Sequence, residues 1–300
     1  MRLVSVGYLL LLNIVGLVGF SIIGLNVRGE DQKPGQRDVV YASVGERPLK
    51  LDLYLPERQS DPAPQLVVWI HGGAWRAGSK ETMPLDELVK LGFAVASVEY
   101  RLSPEAKFPA QSHDIKAAIR FLRASASKFG YSAKNVIIAG GSAGGHLALL
   151  AAVTGGHKQL EGDLGEHRDQ SSKVQACIVY YGMSNLTTIL DQSTPHGLRV
   201  RVGALQSLLG GQPNEVRELA QLASPVFHID DDDPPVLLML GEQDPQAPIN
   251  HAHEVVGQYE KANRPCKLTV LYGSKHGGPE FYDAKRTQIV HQFLKEHMQQ

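Results

Sequence analysis

The segment Gly140-Gly141-Ser142-Ala143-Gly144 follows directly on the apolar stretch Asn135-Val-Ile-Ile-Ala139. An apolar run, a glycine-rich break with one serine at its apex and a further apolar stretch read as strand, sharp turn and helix, the G-x-S-x-G nucleophile elbow. The glycines are required because strand and helix backbones come so close at such a turn that a Cβ would clash. A serine hydroxyl held at the apex is a weak nucleophile until a base removes its proton. The motif therefore demands partners elsewhere in the chain, and a fold that brings them to one end of a sheet.

The rest of the chain supplies that fold. Val39–Ser43 and Leu49–Leu55 alternate apolar and polar residues and read as an antiparallel opening pair. Gln65–Ile70, Phe93–Val98, 135–139, Val174–Tyr180, Pro235–Leu240 and Lys267–Leu271 are short, mostly apolar runs, the signature of strands buried on both faces. Helices are predicted between them over Glu81–Leu91, Pro109–Phe129, Ala143–Val153 and Asn250–Lys261, with a last one inside Gly278–Met298. This alternation implies an α/β architecture, a mostly parallel sheet covered on both faces. Ligands in such sheets bind beyond the carboxyl ends of the strands. Met183–Leu222 has no strand pattern and is the expected cap region.

The formal net charge of −1 and the lack of any Lys/Arg run exclude the basic footprint of a nucleic-acid binder. Two cysteines, Cys177 in an apolar strand and Cys266 at the start of another, form neither a disulfide framework nor a metal site. After Arg2, residues 3–27 carry no charge, and a polar linker over 28–38 separates them from the catalytic region at 39–300. Residues 1–27 read as an export segment, with two outcomes open: a cleaved signal, giving a secreted or periplasmic protein, or a retained membrane anchor.

A serine at an elbow needs an orienting acid and a base, which in this fold class follow in the order Ser, Asp or Glu, His. Asp244 lies just past the penultimate strand, with Glu242 as the fallback acid. His276 lies after the last strand in Gly273-Ser274-Lys275-His276-Gly277-Gly278, between glycines that leave its ring room to reach the serine. His146, one turn past Ser142, is expected to be a packed structural side chain, and His113, His251, His253, His291 and His297 to lie on solvated helix faces. Backbone N–H groups of Gly72, Gly73 and Ala143 are the expected oxyanion donors, with His71 bracing their loop. Trp75 and Tyr181 follow strand ends and are candidate substrate contacts. No metal or other cofactor is implied: no histidine pair has ligand spacing, and Asp230–Asp233 lacks the pattern of a calcium loop.

From about Val39 to the C-terminus the chain resembles the α/β-hydrolase esterases of the hormone-sensitive-lipase-like and bifunctional feruloyl/acetylxylan-esterase-like group. The resemblance rests on His71-Gly-Gly-Ala-Trp75, Tyr100-Arg101-Leu102, Gly140–Gly145 with His146, and Ser224-Pro225-Val226. It continues through Gly241-x-x-Asp244-Pro245-x-x-Pro248 and His276-Gly-Gly-Pro-Glu-Phe281. Ala74, where many relatives carry a third glycine, and Ala247, where Val is usual, are the departures. The resemblance implies an eight-stranded α/β-hydrolase sheet and a Ser142–Asp244–His276 triad. It also implies hydrolysis of small acyl esters, with acetyl esters of sugar or xylan as the substrate class. A formamide-cleaving enzyme with the same triad and a catalytically inactive binding protein on the same scaffold are the rival readings.

Overall fold

A computed structural model describes residues 35–57 and 61–298. The export segment expected over 1–27 and most of the 28–38 linker lie outside the described residues. Among the described residues, no helix is long and apolar enough to cross a membrane.

The strands are β1 (Gln36–Val44), β2 (Arg47–Tyr54), β3 (Gln65–Ile70), β4 (Ala94–Val98), β5 (Ser132–Gly141), β6 (Ala176–Tyr180), β7 (Val236–Gly241) and β8 (Cys266–Leu271). They form one sheet in the order β1-β2-β4-β3-β5-β6-β7-β8. β2 pairs antiparallel with both β1 and β4, and every pairing from β4 through to β8 is parallel. This is the α/β-hydrolase fold. The opening strand starts at Gln36, inside the segment expected to be linker.

The helices are α1 (Asp86–Lys90), α2 (Ala110–Ala124), α3 (Ala126–Phe129), α4 (Ala143–Ala152), α5 (Lys158–Glu161), α6 (Ile189–Gln192), α7 (Pro195–Leu209), α8 (Arg217–Leu222), α9 (Asn250–Lys261) and α10 (Ala284–His297). The helix expected over Glu81–Leu91 shrinks to α1 because Pro84 cannot sit inside a helix and biases Met83 away from helical backbone. The helix expected over Pro109–Phe129 breaks at Ser125 into α2 and α3. The expected cap, 183–222, contributes α6, α7 and α8 and no strand.

The period-2 alternation of the strands splits the core in two. Leu66, Val68, Ile70, Val136 and Ile138 share one apolar cluster with residues of α2, α4, α7 and α9. Val67, Trp69, Ile137 and Ala139 face α1 and α10. Each fully buried Leu, Val or Phe on these faces stabilises the fold by about 1.5–3 kcal/mol. Helix α4 is buried along its whole length. Its sequence, Ala-Gly-Gly-His-Leu-Ala-Leu-Leu-Ala-Ala, has no charged face to offer water. Cys177 is buried in β6 as expected, and both thiols are free.

Candidate active site

Ser142 sits between β5 and α4 with φ 55° and ψ −120°, a backbone that L-residues rarely adopt. Such strain costs about 1–3 kcal/mol and persists only where the surroundings impose it. Here the Ser142 N–H donates to the Tyr180 carbonyl at 2.9 Å, and the Ser142 carbonyl accepts from the His146 N–H at 3.0 Å. Gly144 lets α4 start hard against β3: any Cβ there would collide with the Ile70 and His71 carbonyl oxygens. The turn thus projects the Ser142 hydroxyl beyond the carboxyl edge of the sheet.

The expected partners converge on it. Ser142 Oγ lies 2.7 Å from His276 Nε2. His276 Nδ1 lies 2.7 Å from Asp244 Oδ2. Asp244 Oδ1 accepts from the Gln246 and Ala247 N–H groups at 2.7 and 2.9 Å, so both carboxylate oxygens are engaged. An ionised carboxylate accepts only, so Nδ1 carries the proton and Nε2 is free to accept from the serine. Glu242, the fallback acid, does not reach the histidine; its carboxylate accepts the Gly273 N–H at 3.1 Å.

The loop after β3 lies beside the elbow. Gly72 is pressed against it, since a Cβ there would stand 2.9 Å from the Gly141 carbonyl oxygen and 3.3 Å from Ser142 Cβ. The Gly73 carbonyl accepts from the Arg76 and Ala77 N–H groups at 3.1 and 3.0 Å, which closes the turn. Ala143 is the first residue of α4, and an N–H at that position has no intrahelical acceptor. Its direction along the helix also favours negative charge. His71 braces this loop, as expected from the sequence: its Nδ1–H donates to the Gly72 carbonyl at 2.8 Å, and its ring stacks on Tyr100 at 4.4 Å. The Tyr100 hydroxyl donates to the His71 carbonyl at 3.0 Å. Arg101, next in sequence, grips buried Asp114 through two guanidinium nitrogens, Nε at 2.9 Å and Nη2 at 2.6 Å.

Two expectations change. Trp75, a candidate substrate contact, is wholly buried, and its indole N–H donates to His146 Nδ1 at 3.1 Å. Its surface is used up inside the protein, where it ties the loop after β3 to α4. His146 passes the link on, because Nε2 must then carry the proton and donates to the Ala223 carbonyl at 2.7 Å, just after α8. Burial pushes His146 down to about 4, so it is neutral at pH 7. The second change is His251, expected on a solvated face of α9. It is fully buried, and its Nδ1 accepts from the Ser184 and Asn185 N–H groups at 3.3 and 3.2 Å.

Tyr181, the other candidate contact, stands beside the histidine, with ring centroids 5.0 Å apart. Its φ of 40° is again unusual for a non-glycine residue. Its hydroxyl shares a hydrogen bond with that of Tyr282. Burial raises both phenols, so both stay protonated. Tyr282 carried no signal in sequence, because it reaches the site only through the packing of the segment before α10. Among the described residues no group of three or more His, Cys, Asp or Glu side chains could hold a metal ion. The Asp230 and Asp233 carboxylates accept backbone N–H groups of their own turn.

The fold and this site define an α/β-hydrolase with a Ser–His–Asp constellation at the carboxyl edge of its sheet. The BD-FAE family profile matches residues 51–258. The chain belongs to the BD-FAE family, within the hormone-sensitive-lipase-like esterase group. It is 31% identical over 268 residues to the probable carboxylic ester hydrolase LipM of Mycobacterium tuberculosis, an alignment covering 86% of this chain and 60% of that protein. The chain thus spans about 60% of that curated relative's length. Among solved structures it is similar to a bifunctional GH43-CE protein of Bacteroides eggerthii, with TM-score 0.78 and 32% identity over 87% of this chain and 35% of that one. It is also similar to a truncated carbohydrate esterase from gut microbiota, with TM-score 0.77 and 28% identity over 90% of this chain and 99% of that one.

Proposed function

We propose that this chain is a serine carboxylesterase acting on small acyl esters, with Ser142 as nucleophile, His276 as general base and acid, and Asp244 as the orienting acid. The observation that carries the proposal is the unbroken run of hydrogen bonds from Asp244 Oδ2 through His276 to Ser142 Oγ, each 2.7 Å long. His276 Nε2 takes the Ser142 proton as Oγ attacks the ester carbonyl. The negative charge that develops on the carbonyl oxygen falls to the Gly72, Gly73 and Ala143 N–H groups, each donor worth roughly 3–4 kcal/mol in the transition state. Collapse of the tetrahedral species breaks the ester C–O bond, and His276 returns the proton to the leaving alcohol. Water, deprotonated by His276, then attacks the acyl-serine and releases the acid.

The proposed substrate class is acetyl esters of carbohydrate. The support is the similarity to the GH43-CE protein and to the carbohydrate esterase. Tyr181, whose ring centroid lies 5.0 Å from that of His276, is the side chain proposed to meet the leaving alcohol. The uncharged run over residues 3–27 supports export. The test is turnover of p-nitrophenyl acetate, butyrate and octanoate, acetylated xylan and an aryl formamide by the full chain and by Ser142→Ala. Acetate turnover that vanishes in the variant is the expected result. Turnover of the formamide alone would replace the esterase reading with an amidase one, and no turnover of any of them would overturn both.

A further inference from the structure

Arg201, in the middle of α7, is fully buried. Its Nε and Nη2 donate to the Gln246 carbonyl at 3.3 and 3.0 Å. Nη2 also meets Met183 Sδ at 3.2 Å, and the guanidinium carbon lies 5.8 Å from the centroid of the Trp75 ring. Nη1 has no hydrogen-bond partner among the described residues. The carboxylate that acts on this charge is that of Asp244. The same helix holds the preceding residue too: Thr194, its N-cap, donates from Oγ1 to the Pro245 carbonyl at 2.6 Å. The carbonyls of residues 245 and 246 are therefore gripped by α7, while the N–H groups of residues 246 and 247 grip Asp244 Oδ1.

A buried cation without a direct carboxylate partner is expensive, and a well-packed apolar side chain of similar volume would often be as stable or more so. Packing alone thus gives poor grounds for an arginine here. We infer that Arg201 is a positioning residue for the triad: it holds the Pro245–Ala247 peptide that presents Asp244, and sets a fixed positive charge behind that carboxylate. The inference rests on the triad reading above and extends it to the cap region. With Trp75 beneath it, Arg201 also connects the acid loop to the loop after β3, so α7 touches both halves of the site.

The other groups in reach do not duplicate this charge. His146 from α4 and His251 from α9 lie near Arg201, and burial holds both neutral, at about 4 and about 3. Around His276 stand Asp244, the Ser142 hydroxyl and the Tyr181 phenol. The Glu280 carboxylate lies against Gly278, and Lys275 is exposed next in sequence. Arg201 is the buried cation of this neighbourhood. Burial lowers its guanidinium to about 10, with Asp244 opposing, so it stays charged throughout the working range.

A buried cation opposes further positive charge near it, so its removal should shift the acid limb of the rate profile to higher pH. The experiment measures kcat/KM for p-nitrophenyl acetate across roughly pH 5 to 9 in the wild type, Arg201→Met, Arg201→Gln and Arg201→Lys, with thermal unfolding of each. Arg201→Met should lose about ten- to a hundredfold in kcat through the slackened acid loop. Its acid limb should move up by about half a pH unit or more. Arg201→Lys should return the limb to its wild-type position. Arg201→Gln, which keeps polar contacts without charge, substitutes for Arg201→Met should that variant fail to fold. A neutral variant that folds, loses activity and keeps the wild-type limb would overturn the electrostatic role, and one with wild-type kcat would overturn the positioning role. Wild-type turnover lost in Ser142→Ala keeps either failure distinct from failure of the triad reading, which no wild-type turnover at all would signal.

Discussion

Replacing Asp244 by asparagine keeps the shape of the side chain and inverts one of its hydrogen bonds. In the native site Oδ1 accepts two backbone N–H groups at 2.7 and 2.9 Å, so in Asp244→Asn the amide oxygen stays on that side. The NH2 group then takes the place of Oδ2, which lies 2.7 Å from His276 Nδ1. Two N–H donors cannot face one another, so the imidazole proton moves to Nε2 and Ser142 Oγ meets a donor where it needs an acceptor. In triads of this kind the wrong tautomer costs kcat about four orders of magnitude. At about 1.36 kcal/mol per tenfold this is roughly 5.5 kcal/mol of barrier. KM should change little, because the change is confined to the chemical step. Folding stability should fall by only about 1 kcal/mol, since the shape and two of the three hydrogen bonds survive unchanged and the third is reversed, with the amide NH2 donating to Nδ1 and the charge assistance lost. The assay is p-nitrophenyl acetate turnover with urea unfolding of the same preparations, beside Glu242→Gln as a control that should match the wild type. Asp244→Asn within tenfold of wild-type kcat would show that Asp244 does not set the His276 tautomer, and a large loss in Glu242→Gln would point to Glu242 as the acid.

Three further outcomes are expected. Gly144→Ala should fold poorly or lose more than about 3 kcal/mol in urea unfolding, because its Cβ would meet backbone carbonyls that cannot move without shifting β3; near-wild-type stability would contradict the close approach of α4 and β3. Trp75→Phe strands His146 Nδ1 without its donor and should cost about 1–3 kcal/mol of stability with KM for p-nitrophenyl acetate unchanged; a raised KM without loss of stability would return Trp75 to the substrate. Burial lowers His146 to about 4 and His251 to about 3, so the unfolded chain takes up protons near pH 6.5 that the folded chain refuses. Their contribution is complete above about pH 6.5 and falls by up to about 1.4 kcal/mol per histidine per pH unit as pH drops towards those values. Buried Asp233, raised to about 7, gains stability as pH falls over the same range and offsets about one histidine's share, so urea midpoints should still decline between about pH 6.5 and 5, and a flat profile there would contradict neutral burial.

The elements of the site that follow strand ends were legible in sequence. Ser142, Asp244 and His276 each lie just beyond an apolar run, among the glycines or turn residues that a carboxyl-edge loop requires, and the order of the three along the chain leaves few alternatives. Gly72 and His71 were legible for the same reason. The side chains that brace these loops were not, because their roles depend on which helix face meets which loop. Trp75 follows a strand end as Tyr181 does, and only packing separates the buried brace from the residue beside His276. His251 carried a signal that outweighs its polarity: it shares the i, i+4, i+8 face of α9 with buried Val255 and Tyr259. Arg201 lies likewise on the face of α7 that buries Gly197, Ala204, Leu205 and Leu208. A charged residue on an apolar helical face invites the question of its partner, but the partner, a carbonyl 45 residues on, emerges only when the chain is folded.

Ser142 as nucleophile, activated by His276, is open to a direct chemical test. Its most direct test is covalent trapping: treatment of the full chain with an alkyl fluorophosphonate, followed by peptide mass analysis, beside Ser142→Ala and His276→Ala. One adduct per chain is expected, on the peptide carrying Ser142, absent in Ser142→Ala and slowed by several orders of magnitude in His276→Ala. An adduct on another residue, or equal labelling in Ser142→Ala, would contradict it.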